Sequence, residues 1–225
     1  VAHLLLNLRQ RGVPIWTSAP AVELMREGSR VVGAKISNEG TSKEVRARRA
    51  VSLACGGFPA SDELKREFYP HVRAGKNHVR LPPACTTGDG IRLAQAIGGQ
   101  FSTALAQPAS WAPVSLVPQA DGSVVPFPHF IDRNKPGFII VDRHGQRFVN
   151  ESDPYHLIVQ AMVAASAADQ AIEAFIIADH RSIRRHSIGV VPPAPGRIGP
   201  HLRSGYLMRG RTLDQLAAAL GIDAK

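Results

Sequence analysis

Two glycine-bearing bends have the residue types to hold a ligand through the main chain. In Leu53-Ala54-Cys55-Gly56-Gly57-Phe58 an apolar run ends in paired glycines. Glycines allow close backbone approach to a bulky group and leave N–H donors open to a phosphate or a ring carbonyl. In Thr87-Gly88-Asp89-Gly90 a hydroxyl, a carboxylate and two glycines precede a helical pattern, so a helix N-terminus is offered to negative charge. Taken singly, a plain turn accounts for the first motif and an ordinary capped helix for the second. Cys55 and Cys85 have no CxxC or Cys/His spacing and are expected to be reduced, packed thiols. The nine histidines lack HxxxH and HExxH spacing, so they propose no metal site.

These bends need a scaffold, and the composition supplies one. Of the 225 residues 44% are hydrophobic and 20% charged, enough to fill one substantial core or two modest ones. Lysine and arginine exceed the acids by nine, yet the basic residues are scattered. The densest group, Arg181, Arg184, Arg185 and His186, has no aromatic interleaving and reads as a solvated face, so no nucleic-acid partner is expected. No apolar run approaches the length of a transmembrane span, and Leu4-Leu5-Leu6 is too short for a signal-peptide core. A soluble, cytoplasmic protein is the expectation.

Residues 2–10 carry apolar side chains at helical spacing and end at Arg11-Gly12. Short strands are predicted at 13–17, 22–24, 31–36 and 43–53, with turns at Glu27-Gly28 and Asn38-Glu39-Gly40 that favour an antiparallel meander. Ser61 with Asp62 and Glu63 starts a helix that Pro70 ends. A second helix follows Gly90 and closes at Gly98-Gly99. From about residue 107 prolines imply extended segments and loops, then a hairpin of 138–141 with 146–149. Ser152-Asp153-Pro154 starts a helix running to about Ala168, residues 175–178 form another strand, and Thr212 with Gln215 opens a last helix closed by Gly221. A domain boundary is expected near residue 105, giving domains 1–105 and 106–225.

In order, the meander into LACGGF, then TTGDGIRLAQAIGG, then PGFIIVDRHGQRFVNES resembles the FAD-dependent fumarate reductase/succinate dehydrogenase flavoprotein superfamily, on its 3-ketosteroid dehydrogenase branch. The resemblance covers nearly the whole chain, and the third motif is its most specific part. It implies an α/β and α+β fold: the central part of a Rossmann-like FAD-binding domain with its β-meander, plus part of an α+β substrate or capping domain. It further implies that Val22, Ala54, Gly56, Gly57, Thr87, Gly88 and Asp89 line the FAD site. The family's GxGxxG fingerprint and the C-terminal stretch that completes the flavin site do not occur here. An internal piece of a longer enzyme is therefore expected, holding FAD weakly or not at all and inactive by itself.

In fumarate reductases an arginine four residues beyond the glutamate of the Asn-Glu motif protonates the substrate. Here that position is Tyr155, and Gln107 is followed by Pro108-Ala109-Ser110-Trp111 rather than by His-Pro. Both departures count against a dicarboxylate. In 3-ketosteroid dehydrogenases the corresponding residue is a tyrosine, so the resemblance implies desaturation of a 3-oxo substrate, with hydride passing to flavin N5 and Tyr155 as proton acceptor. Phenols ordinarily titrate near pH 10, and a helix N-terminus stabilises their anion by only roughly 0.3–1 kcal/mol. A neighbouring hydroxyl is thus implied, supplied in relatives from outside these residues. Trp111, Phe127 and Phe130 are candidates for an apolar wall against a flat hydrophobic substrate, although core packing explains them equally. Arg147 and Glu151 are expected to pair structurally. An external electron acceptor completes the implied partners. The alternatives are a flavin-dependent reductase of an activated alkene, fumarate-like or urocanate-like, and a non-catalytic folded module.

Overall fold

The computed structural model of the chain describes residues 2–38, 40–168 and 170–222. In chain order the elements are α1 Ala2–Gln10, β1 Ala21–Glu27, β2 Arg30–Asn38, β3 Thr41–Arg46, α2 Asp62–Phe68, α3 Pro70–Arg73, α4 Asp89–Ala96, β4 Val114–Pro118, β5 Val124–Pro128, β6 Phe138–Val141, α5 Tyr155–Ala165, β7 Phe175–Ala178, α6 His180–Arg185, α7 Gly199–Arg203 and α8 Leu213–Leu220. They fall into two units, residues 1–61 with 84–102, and residues 62–83 with 103–225. The architecture is mixed α/β with small antiparallel sheets. Among the described residues no helix is long and apolar enough to cross a membrane.

The first unit contains the expected meander, β1-β2-β3, antiparallel throughout. Its first turn pairs Glu27 with Arg30, and Gly28 takes the left-handed conformation (φ +58°) that such a reversal requires. Leu24, Val32 and Ile36 are buried. Helix α4 packs on β1, and Arg26 Nη1 donates to the Ile97 carbonyl at 3.2 Å, placing a cation at the negative end of the helix. The helix closes as its glycines predict, with Gly98 at φ +86°.

One expected strand is absent and another is cut short. Residues 13–17 are irregular and exposed; Pro14 lacks an N–H to pair, and Ser18 turns left-handed (φ 52°). Strand β3 stops at Arg46. The apolar run of residues 51–54 stays unpaired because a strand needs a neighbour, and the described residues offer it none.

The second unit holds two further two-stranded sheets. Strands β4 and β5 form a hairpin where only extended segments were expected, with Pro118, Pro126 and Pro128 opposite Val124, Leu116 and Val114. A two-stranded ribbon has a free edge on each strand, so a residue without an N–H is tolerated there. Asp121 builds the turn by accepting from the Ser123 N–H (2.9 Å) and hydroxyl (2.6 Å), with Gly122 at φ +82°. Strand β6 pairs with β7, not with residues 146–149. Those residues contribute one bridge, Val141 with Arg147, because the chain must reach Glu151.

Glu151 is 6% exposed and carries the most demanding local interaction. Its carboxylate receives Arg147 Nε at 2.9 Å and Nη2 at 2.6 Å, and also the Ile140 N–H of β6 at 2.8 Å. The Arg147 hydrogen bonds lead in holding its carboxyl down at about 2, against the cost of burial. This one side chain joins β6, the turn of residues 142–146 and the start of α5. At the other end of α5, Lys76 Nζ donates to the carbonyls of Ser166 (3.1 Å), Ala167 (2.7 Å) and Gln170 (3.5 Å). Asn77 exchanges two amide bonds with Ile172 (3.1 and 2.6 Å). These contacts explain why residues 62–83 belong to the second unit. Ile158 of α5 is fully buried, an event worth roughly 1.5–3 kcal/mol.

A folded-state value near 2 lies below the unfolded carboxylate range, so Glu151 adds stability above pH ~4.3 that is lost as pH falls towards 2. Glu151→Gln is expected to cost on the order of 1.5–3 kcal/mol at pH 7, the scale of a buried hydrogen bond to a charged group. The gap between variant and wild type should shrink between pH 4.5 and 2 in urea titrations.

Candidate functional site

The two glycine bends meet within the first unit. The Ala60 N–H donates to the Thr86 carbonyl at 3.0 Å. A Cβ added to Gly56 would lie 3.4 Å from Thr86 Cγ2, and one added to Gly90 would lie 3.2 Å from Cys55 Cβ. Gly90 is therefore favoured by this approach, and Gly56 by its backbone, whose φ is +75°. Leu53, Cys55, Gly56, Gly90, Ile91 and Phe101 contribute to the lining of a cavity of about 220 Å³ at the junction.

Helix α4 opens on that junction. Gly88, at φ +89°, precedes it and its carbonyl accepts from the Ile91 (3.0 Å) and Arg92 (3.2 Å) N–H groups. The Asp89 carboxylate is held by the Thr87 hydroxyl (2.9 Å) and by Arg92 Nη1 (3.2 Å), so it is oriented, with part of its charge balanced. Ala54 and Gly57 are exposed beside these bends. Val22 sits apart in sequence, on β1, with its side chain 55% exposed. Both cysteines are free, as expected, but they are exposed and not packed. The cause for Cys55 is its place on the unpaired run at the cavity wall.

In the second unit Tyr155 is the first residue of α5 and is 36% exposed. The Asn-Glu motif builds the turn that delivers it. Asn150 Oδ1 accepts from the Ser152 N–H (3.1 Å), the Asn150 carbonyl accepts from the Asp153 N–H (3.0 Å), and Pro154 caps the helix. The Tyr155 ring meets Phe130 edge-on at 4.9 Å. Arg133, 3% exposed, donates to the carbonyls of Phe130 and Asp153. It thus clamps the two backbone segments that carry this ring pair.

The other aromatic candidates lie elsewhere in this unit. Trp111 is 9% exposed and packs edge-on against Tyr69 (4.8 Å) and His71 (4.9 Å), with His78 at 6.0 Å. Burial keeps this pair of imidazoles in the neutral form: it lowers His71, and with help from His71 and Lys65 it takes His78 down to about 4. The Trp111 N–H donates to His156 Nδ1 at 3.0 Å, which ties the cluster to the second residue of α5. Phe127 lies 5.4 Å from the His129 ring.

Sequence reasoning passed over one polar cluster. His129 (5% exposed) and Asp132 (8%) are buried together, with Nδ1 2.7 Å from the Asp132 carboxylate and Nε2 2.8 Å from Ser115 Oγ. Only the three-residue spacing of His129 and Asp132 could have flagged it. Among the described residues no group of three or more His, Cys, Asp or Glu could hold a metal ion.

A family model described as an FAD binding domain matches residues 1–224, and the chain belongs to that family, whose cofactor is FAD. The cradle suits such a group, since the bends meet beside a cavity on which a helix N-terminus opens. The relatives are dehydrogenases. The 4-oxocyclohex-2-ene-1-carboxylate 5-dehydrogenase of Sinomonas cyclohexanicum is 37% identical over 214 residues, covering 95% of this chain and 36% of the relative. The 3-oxosteroid 1-dehydrogenase of Mycobacterium tuberculosis is 30% identical over 236 residues, covering 100% of this chain and 40% of the relative. The crystal structure of 3-ketosteroid Δ1-dehydrogenase from Sterolibacterium denitrificans, in complex with 1,4-androstadiene-3,17-dione, matches with a TM-score of 0.76 at 30% identity, over 98% of this chain and 39% of that one. The chain thus spans 36–40% of the length of these relatives.

Gly56→Ala is expected to cost on the order of 1–2 kcal/mol, the penalty for an L-residue held left-handed. It should also weaken flavin retention by the full-length protein, measured as flavin absorbance per protein after gel filtration.

Proposed function

We propose that this chain serves an FAD-dependent dehydrogenase that introduces a carbon–carbon double bond beside the ketone of a hydrophobic ring, as in a 3-oxosteroid. Similarity over essentially the whole chain to a 3-ketosteroid Δ1-dehydrogenase supports this reading, and it is the observation that carries it. The glycine cradle, with Val22, Ala54, Gly56, Gly57, Thr87, Gly88 and Asp89, holds FAD. Gly88 frees the N-terminus of α4 for an anionic or carbonyl group, while Thr87 and Arg92 keep Asp89 fixed as an acceptor. Bound FAD supplies the hydride acceptor. The run of residues 51–54 is, on this reading, a strand of a Rossmann-like sheet in the whole protein, and residues 106–225 belong to the capping domain.

The protein's own share of the chemistry is the proton. A hydrogen on the carbon next to a ketone is acidified by the carbonyl, and Tyr155 Oη accepts it. The residue suits that role because it opens α5, where the helix dipole favours the anion, and because Phe130 holds its ring edge-on. Phe130 gives an apolar wall to the substrate, and the Trp111 main-chain N–H supports α5 through His156. An external oxidant then takes the electrons onward. A second substrate reading has its own support: at 37% identity, one relative is named for a smaller ring ketone that bears a carboxylate.

The test is to assay full-length protein with a 3-oxosteroid and with 4-oxocyclohex-2-ene-1-carboxylate, using an artificial electron acceptor. Turnover of the steroid alone supports the first reading, turnover of the carboxylate alone supports the second, and turnover of neither, with fumarate reduced by reduced flavin, sinks both. Tyr155→Phe should lower kcat by about 100- to 10,000-fold, the usual range for loss of a general base, while substrate-induced flavin spectral changes persist. Arg133→Lys cannot bridge both carbonyls in a planar fork. It is expected to lower kcat by about tenfold, a misplacement effect smaller than loss of the base itself, with KM within a factor of two or so.

A further inference from the structure

We propose that Ser115 is a nucleophile for acyl transfer, activated by His129 and Asp132, and that the cavity it lines accepts esters of small apolar acids. The three side chains stand in the order such chemistry requires. Ser115 Oγ lies 2.8 Å from His129 Nε2, and His129 Nδ1 lies 2.7 Å from Asp132 Oδ2. The same Oδ2 of Asp132 also accepts from the Gly189 N–H at 2.6 Å. Although burial opposes its charged form, the hydrogen bonds from His129 and Gly189 hold it below the ordinary aspartate range. An ionised Asp132 accepts the Nδ1 proton, which leaves Nε2 of the neutral imidazole as the acceptor for the serine hydroxyl. Geometry and roles define this constellation, irrespective of fold or chain order.

The surroundings add what an isolated hydrogen-bonded triplet lacks. Ser115 and His129 line a cavity of about 300 Å³ whose walls include Ile140, Ile158, Met162 and Leu216. That is the lower end of the volume range for small-molecule sites, and it offers room for a compact apolar acyl group. Tyr155 and Phe130 are not among its lining residues, while Arg133, which clamps their segments, is, so the two proposed sites are neighbours that open on different side chains. The Tyr206 hydroxyl lies 2.6 Å from Ser115 Oγ. A side chain at Gly189 would collide with it, since an added Cβ would sit 2.1 Å from the Tyr206 hydroxyl oxygen and 3.2 Å from His129 Cε1. The cluster is therefore held together by four separate chain segments.

The step balances without any redox partner. Ser115 Oγ attacks the ester carbonyl carbon and its proton passes to His129 Nε2. The carbon–oxygen bond to the leaving alcohol then breaks, and that alcohol takes the proton from His129. As Oγ bonds to carbon, the Tyr206 hydroxyl is released to donate to the carbonyl oxygen. Water, deprotonated by His129, hydrolyses the acyl-serine.

The experiment treats purified protein with a fluorophosphonate probe, maps the adduct by mass spectrometry, and follows p-nitrophenol release from p-nitrophenyl butyrate. The expected result is an adduct on Ser115, lost together with ester hydrolysis in Ser115→Ala, slowed about 100-fold or more in His129→Gln and unchanged in Tyr155→Phe. An unlabelled Ser115 in natively melting protein would overturn the proposal, as would hydrolysis that survives Ser115→Ala. Should His129→Gln not fold, site mapping on the unaltered protein and on Ser115→Ala decides the matter. Flavin content and dehydrogenase turnover are read in parallel, so the two sites can fail independently.

Discussion

A carboxylate taken out of water must recover both counter-charge and hydrogen bonds, and Glu151 does so with two bonds from Arg147 and one from the Ile140 main chain. The solution constrains everything nearby. Arg147 can reach only if the chain reverses tightly after Val141, which the Asp142 carbonyl, side chain and N–H arrange through Gly145, His144 and Gln146. Ile140 can donate only if its strand is otherwise paired on the other edge, as β6 is with β7. The chain leaving Glu151 is then fixed in direction, and the Asn150 turn starts α5 with Tyr155 at its head. The most specific sequence motif of the chain is thus first a structural device, and any chemistry at Tyr155 depends on it.

The helix so started is held at both ends by cations that bond to main-chain carbonyls. Lys76 spreads its three donors over the residues just past the C-terminus, where the helix dipole favours positive charge. Arg133 does the opposite electrostatically, sitting at the N-terminal side with only carbonyls as direct partners. Desolvation pulls its guanidinium below the usual arginine range, and the fields of Asp132 and Asp153 work in the other direction. A cation kept there against that cost suggests that exact placement of the Phe130 and Tyr155 segments matters more than the stability forgone.

Much of the scaffold was legible where local chemistry decides the outcome. Turn glycines at 28 and 98, the Thr212 cap and the apolar spacing of α4 each act within a few residues, and the corresponding elements formed. The pairing of Arg147 with Glu151 was legible for the same reason, being four residues apart. Strand pairing was not, because it is settled by whatever distant segment supplies a neighbour. Residues 146–149 have the right alternation to pair with β6, yet beyond the single Val141–Arg147 bridge that edge goes to the Glu151 carboxylate, and the strand partner is β7 on the other edge. The β4–β5 hairpin was hidden by its prolines, which signal loops unless the free edges of a two-stranded ribbon are considered.

The sites divide along the same line. The glycine bends were readable because glycine at a sharp approach leaves a mark in the sequence itself, and Gly56 and Gly90 turned out to face crowded neighbours. The Ser115, His129, Asp132 and Tyr206 cluster leaves no such mark. Serine, histidine, aspartate and tyrosine are individually ordinary, and 91 residues separate Ser115 from the Tyr206 it meets. Only the fold shows that the buried carboxylate of Asp132 is shared between an imidazole and the Gly189 N–H. Burying polar groups such as His129 and Asp132 in mutual contact costs more than an apolar core would unless every donor finds an acceptor. Here each does: the Ser115 hydroxyl has His129 Nε2, the His129 Nδ1 and the Gly189 N–H share the Asp132 carboxylate, and the Tyr206 hydroxyl has Ser115 Oγ.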